Sequence, residues 1–235
     1  MRKLLLLLFV TANCSSFCQS PYDNDAGLWF ILYLEKKITK KIIVHLNQQD
    51  RFLNNISQFK MAYADAGITY KFTKHIKVLA DYVLARKAKT DGSFSTRHQY
   101  YAAIILKQKI GRWAFSYRNL LQREYINPIT SSDGFIRYHY DRNKVTVKYE
   151  WNKYFELYTA EELFVPLNNP TVRGIDRTRA FIGLFYNITR RQQLELYYMF
   201  QAQLQKSNWF DQDQSYSAIR MNHDYVIGIG YSIEL

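Results

Sequence analysis

The last eleven residues, Tyr225-Val-Ile-Gly-Ile-Gly-Tyr-Ser-Ile-Glu-Leu235, constrain the fold more than any other stretch. Tyr225, Ile227, Ile229, Tyr231, Ile233 and Leu235 take every second position, and mostly small or polar residues stand between them: Gly228, Gly230, Ser232 and Glu234. A period of two is that of a β-strand whose two faces meet different media. A strand at the end of a chain has no onward connection. Its open edge is therefore expected to pair with an early strand, and closing a sheet into a barrel removes that edge.

The same alternation recurs along the chain. Strands are expected at about 27–37, 41–53, 59–72, 76–89, 97–110, 112–125, 135–151, 154–165, 176–188, 192–206 and 220–235. The connectors alternate in length. Short ones fall at Ile38-Thr39-Lys40, Thr73-Lys74-His75, Gly111, Asn152-Lys153 and Thr189-Arg190-Arg191, and longer polar ones near 54–58, 90–96, 126–134, 166–175 and 207–219. Short turns at one end and long loops at the other are the pattern of an outer-membrane barrel. With aromatics at 17% of the chain, including 20 Tyr and 15 Phe, the composition favours strands. The expected fold is all-β, an antiparallel transmembrane up-and-down barrel of about 10–12 strands. Eleven are counted where an even number is expected. Either one strand is merged or missed, or residues 19–27 cross the lumen before the first.

The N-terminus reads as an export signal. Arg2-Lys3 is basic, Leu4 to Val10 is uninterruptedly apolar, and a polar, small-residue stretch follows through Ser15, Ser16 and Cys18. Cleavage after Cys18 would leave residues 19–235 as one barrel domain. About seven apolar residues are too few to span roughly 30 Å of hydrocarbon. Both cysteines, Cys14 and Cys18, fall in this segment, so the mature chain is expected to hold no disulfide, no Cys-ligated metal and no thiol nucleophile. The formal charge of +12 includes Arg2 and Lys3. Export speaks against nucleic acid as the counter-charge and for anionic lipid head groups of the bacterial outer membrane.

Sorting the strands by face separates apolar from charged. Trp113, Phe115, Tyr117 and Leu121 oppose Ser116, Arg118, Gln122 and Glu124; Val145, Val147, Tyr149 and Trp151 oppose Arg142, Lys144, Thr146, Lys148 and Glu150. Leu194, Leu196, Tyr198, Phe200, Ala202 and Leu204 oppose Glu195, Gln201, Gln203 and Gln205. Charges of both signs at mid-strand point to a polar lumen with lipid outside. The expected inward ladder is Arg51, Asp65, Asp81, Arg118, Glu124, Arg142, Lys148, Glu150, Glu162, Arg177, Arg179 and Glu195. Its signs balance, which speaks for a salt-bridged plug or a weakly selective path rather than a strongly selective pore. Aromatics just before several short turns, as in Tyr149-Glu-Trp151 and Tyr186, are expected to form an interfacial girdle.

Several pieces, taken in order, resemble one family. They are Gly27-Leu-Trp29, Gln49-Asp-Arg51, Tyr138-His-Tyr-Asp-Arg142-Asn143, Glu161-Glu162-Leu163-Phe164, Arg177-Thr-Arg179 with Gly183-Leu-Phe-Tyr186, and Leu196-Tyr-Tyr-Met199 leading to Gln201. Together they look like the outer-membrane β-barrel family catalogued as domain of unknown function 2490. The resemblance spans nearly all of the mature chain and implies a porin-like bacterial barrel with no established activity. His139 and Asp141 depart from its Arg-rich alternation. From Gly230 the last strand reads Gly-x-x-Ile-x-Leu, similar to the terminal strand that barrel-assembly machinery recognises; Gly230, Ile233 and Leu235 are the candidate assembly signal.

Three functions remain open. The first is a non-enzymatic barrel, structural or a conduit for small solutes, with no cofactor and no catalytic residue. The second is an outer-membrane lipid hydrolase or acyltransferase, for which His223 with Ser215 or Ser217, and His139 with Asp141, are the candidate groups. No Gly-x-Ser-x-Gly elbow or His-Glu-x-x-His site is present. Glu161 and Glu162 are adjacent in a strand, face opposite ways and cannot act as one carboxylate pair. The third is an exported soluble barrel around a hydrophobic ligand.

Overall fold

Alternating segments of this length can satisfy their backbone hydrogen bonds only by pairing with one another, and in the computed structural model all of them do. The structure describes residues 22–89, 92–127, 129, 137–168, 174–206 and 219–235. Its strands are β1 (Tyr22–Lys37), β2 (Ile42–Leu53), β3 (Gln58–Lys71), β4 (Ile76–Ala88), β5 (Phe94–Ile110), β6 (Trp113–Ile126), β7 (Arg137–Glu150), β8 (Phe155–Pro166), β9 (Arg177–Asn187), β10 (Gln192–Lys206) and β11 (Ile219–Glu234). Each pairs antiparallel with the next in sequence, and β11 closes on β1 to complete a barrel. The segment assigned to an export signal lies outside the described residues.

The seam corrects the expectation of an even count. In an up-and-down meander with an odd number of strands, the first and last run the same way, so the closing pair must be parallel. It is: β1 and β11 run in parallel register from Tyr22↔Met221 to Glu35↔Glu234. Among the described residues no strand was merged or missed, and the antiparallel rule fails at this one interface. Residues 22–27 do not cross the lumen but belong to β1, which begins at the long-loop end. The alternation is legible only from Gly27 because Asp23, Asn24 and Asp25 are poor strand formers.

Four of the five short turns share one device. Thr39, Thr73, Asn152 and Thr189 each turn a side-chain oxygen back on the backbone N–H two residues on, and the first three also cap the N–H three residues on, at 2.8–3.2 Å. A basic residue follows each: Lys40, Lys74, Lys153 and Arg190. The fifth turn uses Gly111 at φ 59°, a conformation that costs other residues steric strain. Replacing Thr73 by valine removes two of these bonds and should cost about 1 kcal/mol, read as a lowered urea midpoint of the refolded barrel.

The two faces of the wall differ as the sequence implies. Leu46, Ile68, Ile104, Leu121, Val145, Ile182, Leu196 and Ile227 all stand exposed on the outside, Ile182 at 65% of its free surface. Near the short turns, aromatics gather on the same face: Trp113 on Tyr149 (4.7 Å between centroids), Phe155 on Tyr186 (5.1 Å) and Tyr70 on Phe72 (4.9 Å). The buried apolar cluster lies inside, against the β8–β11 and β1 wall, and holds Trp29, Tyr158, Ala160, Tyr197, Met199 and Val226. Two inward glycines make room for its rings. Gly228 stands in register with both Tyr197 and Trp29, and a Cβ there would overlap the Tyr197 ring. At Gly183 a Cβ would come within 2.5 Å of Tyr158 Cε1.

Candidate functional site

Inward side chains leave two cavities along the barrel axis, about 570 Å³ toward the long loops and about 270 Å³ toward the short turns. Trp29, Arg51, Tyr63, Tyr101, Arg142 and Arg179 line both, so these six side chains form the waist between them. The strands β1, β2, β3, β5, β7 and β9 each supply one.

Three arginines in so narrow a space need counter-charge or π faces, and they find both. Glu162, 2% exposed on β8, takes Arg118 Nη2 at 2.6 Å and Arg142 at 2.8 Å and 3.2 Å from Nη2 and Nε, with Arg179 Nη1 at 3.7 Å. Arg142 also donates to Gln122 Oε1 at 3.1 Å, and its guanidinium lies 4.5 Å from the Phe164 centroid. Arg179 donates to Gln201 Oε1 at 2.7 Å, and Gln201 passes the chain on to Asp224. Arg51 differs. Its partners are neutral, Gln49 Oε1 at 2.9 Å and the Tyr63 hydroxyl at 3.1 Å, and its guanidinium lies between Trp29 (3.7 Å) and Tyr63 (4.3 Å). It makes no ion pair among the described residues. One carboxylate thus serves three guanidiniums at or beside the waist, and the fourth, Arg51, has none.

The charge around these cavities is not balanced. Seven cationic side chains line the outer one (Arg51, Lys60, Lys87, Arg97, Arg142, Arg177, Arg179) against three anionic (Asp25, Glu124, Asp224). Around the inner cavity Arg51, Arg118, Arg142, Lys144 and Arg179 meet Asp65, Asp81, Glu162 and Glu195. Glu124 is occupied by Arg97 Nη1 at 2.5 Å and Gln99 Nε2 at 2.6 Å. Asp25 accepts the backbone N–H groups of Asn54 and Asn55 at 2.9 and 2.8 Å, pinning the β2–β3 loop. Asp176, buried where the long loop enters β9, has its carboxyl pushed above the ordinary aspartate range by burial.

Ten of the twelve residues expected in the inward ladder line these cavities. The other two sit toward the short turns: Lys148 Nζ lies 3.8 Å over the Phe185 ring, and Glu150 accepts from Lys109 Nζ at 2.5 Å. Four cations, two anions (Asp25 and Asp224) and one histidine were not in the set. Lys87, Arg97 and Lys144 share the inward phase of their strands. Lys60 does not: a bulge at Arg51/Phe52 skips it in the ladder, so Lys60 and Met61 both reach the outer cavity. His45, 8% exposed on β2, faces inward beside Asp81.

The other candidate groups are dispersed. Glu161 is exposed on the outer face while Glu162 is buried within. Asp141 bonds Asn119 (2.6 Å) and Asn143 (3.1 Å), and the backbone N–H of His139 donates to Asn168. His223 lies against the Phe200 ring at 5.3 Å. Ser215 and Ser217 lie outside the described residues. In β11, Gly230 pairs with Glu195 and Ile31, Ile233 with Gln192 and Leu34, and the Leu235 N–H donates to Glu35 O at 2.8 Å.

Comparison with known proteins agrees with this architecture. The model of the family described as Protein of unknown function (DUF2490) matches residues 26–212. Among solved structures, a NanC porin in a rhombohedral crystal form shares the fold at a TM-score of 0.52 and 15% identity, over 90% of this chain and 99% of that one. No curated protein matches the chain.

Proposed function

The chain belongs to the DUF2490 family, and from that premise we propose that it is an outer-membrane barrel whose lumen conducts small solutes with a preference for anions. The apolar belt outside and the charged lining inside support a membrane-spanning wall, the reverse of a soluble barrel around a hydrophobic ligand. The neighbour named a porin supports the same reading at the level of fold.

The observation that carries the anion preference is the waist. Arg51, Arg142 and Arg179 face the axis; Arg142 and Arg179 share the one carboxylate of Glu162, and Arg51 has only neutral partners. Rings of Arg and Lys with low counter-charge favour anions in transit. The wide excess of cations over anions in the outer cavity extends that field to the mouth, where it would concentrate anionic solutes. The lipid-hydrolase reading draws no support from His223, packed on Phe200, or from Asp141, bonded to two asparagines.

Planar lipid bilayers test the conduit directly. Refolded protein should insert and give discrete current steps in KCl. Bilayers that contain inserted, heat-modifiable barrel and stay silent would show a sealed lumen and overturn the proposal.

A further inference from the structure

Short of the waist, on the β2–β4 side, two rows of inward residues lie one above the other. The register aligns His45, Gly67 and Asp81 across β2, β3 and β4, and sets Asn47 directly opposite Asp65 in the next inward row. The row depends on its glycine, since a Cβ at Gly67 would drive into both the Asp81 carboxylate and His45 Nε2. Donor atoms from His45, Asp65 and Asp81 all lie within 4.8 Å of one another.

The hydrogen bonding of this cluster is incomplete in a particular way. Asn47 Oδ1, Asp65 Oδ1 and Asp81 Oδ1 are all buried atoms, and none accepts a hydrogen bond. The His45 and Asp81 side chains are only 6% and 8% exposed. His45 Nε2 lies 3.1 Å from Asp81 Oδ1, within ion-pair range but not in the geometry of a well-formed hydrogen bond. Two donors of a tetrahedral ion bound at 2.0–2.1 Å stand about 3.3 Å apart without bonding each other. Buried acceptor oxygens that face one another are costly unless a cation joins them.

We propose that His45, Asp65 and Asp81, with Asn47 Oδ1 beside them, form a lumenal binding site for a divalent transition-metal cation of the Zn²⁺ class. One imidazole nitrogen with two carboxylates suits such a cation better than Ca²⁺ or Mg²⁺, which take oxygen ligands throughout. The two carboxylates neutralise its charge. Tyr33 stacks on the His45 ring at 5.6 Å and 28°, which fixes the imidazole plane. Asn47, Asp65 and Asp81 line the inner cavity, so an ion reaches the site from the lumen. The site does not depend on whether the lumen conducts.

The test uses the full mature barrel refolded in detergent, stripped with EDTA and titrated with Zn²⁺ by calorimetry. Wild type should bind one ion saturably. Asp81→Asn and His45→Gln should each weaken binding about tenfold or more, with unchanged heat-modifiable mobility as the folding control. Co²⁺ offers a readout on the wild-type protein alone, independent of whether either variant folds. It should show the intense visible bands of four-coordinate N/O ligation, whereas a weak octahedral spectrum would overturn the proposal. Absence of a saturable site in folded wild type would overturn it too. So would binding that both folded variants keep undiminished, which places the ion elsewhere.

Discussion

Replacing Glu162 by alanine should destabilise the barrel by about 3 kcal/mol or more, since removing one partner of a buried ion pair leaves the others uncompensated. Arg118, Arg142 and Arg179 all converge on this carboxylate, which is 2% exposed. Their guanidiniums keep neutral partners, Gln122 for Arg142 and Gln201 for Arg179, but no other ion pair among the described residues. Lumenal water can reach part of the site, because Arg118 keeps 29% of its side-chain surface exposed, and this holds the loss toward the lower end of the range. Urea unfolding of the refolded protein, followed by tryptophan fluorescence, measures the effect. Glu162→Gln keeps the shape and an acceptor oxygen and should recover part of it. A loss below about 0.5 kcal/mol in Glu162→Ala, the size of an ordinary surface substitution, would show that the arginines do not need this carboxylate.

The next largest effect is expected from Gly228→Leu, by a different cause. The backbone at Gly228 is ordinary strand, so the obstacle is space rather than conformation. Its register partners Tyr197 and Trp29 are both buried, and the Tyr197 ring occupies the volume that a side chain at 228 would need. Met199 and Val226 are fully buried beside it, so the ring can yield only toward the inner cavity that it lines. Overpacking of this kind costs about 1–3 kcal/mol. Because the clash lies on β11 next to the closing seam, it should also lower the yield of folded barrel on heat-modifiability gels. Pairing Gly228→Ala with Tyr197→Leu should be milder than the sum of the single changes, since the second removes the atoms with which the first collides. Additive losses would place the tyrosine ring elsewhere.

Strand positions were legible because their cause is local. Alternation, short turns and aromatic residues recur in each hairpin, and β10 runs over Gln192–Lys206 as its pattern implies. Closure was legible from the alternating last strand, but the direction of the closing pair was not. The direction of the β1–β11 pair follows from the parity of the whole meander, and the Asp23-Asn24-Asp25 stretch hides the start of β1. Inward residues followed from phase, so Arg142, Glu162 and Arg179 could be named in advance. Lys60 could not, because a bulge changes phase through backbone geometry that the composition of Phe52 or Phe59 does not announce. Charge counted over the expected inward ladder balanced, whereas charge sorted by cavity does not. That difference depends on which strands meet across the lumen, a relation between residues distant in sequence. The turn device, by contrast, was present all along as Thr or Asn followed by Lys or Arg at 39–40, 73–74, 152–153 and 189–190.

The waist makes one claim about permeation that a single measurement addresses. Reversal potential across a planar bilayer under a KCl gradient reports which ion passes more easily through the inserted barrel. With Arg51, Arg142 and Arg179 facing the axis and Glu162 engaged among them, the potential should take the sign of chloride preference, and Glu162→Gln should move it further the same way. A potential of zero or of the sign of potassium preference, in a channel of normal conductance, would contradict the arginine waist as the element that selects.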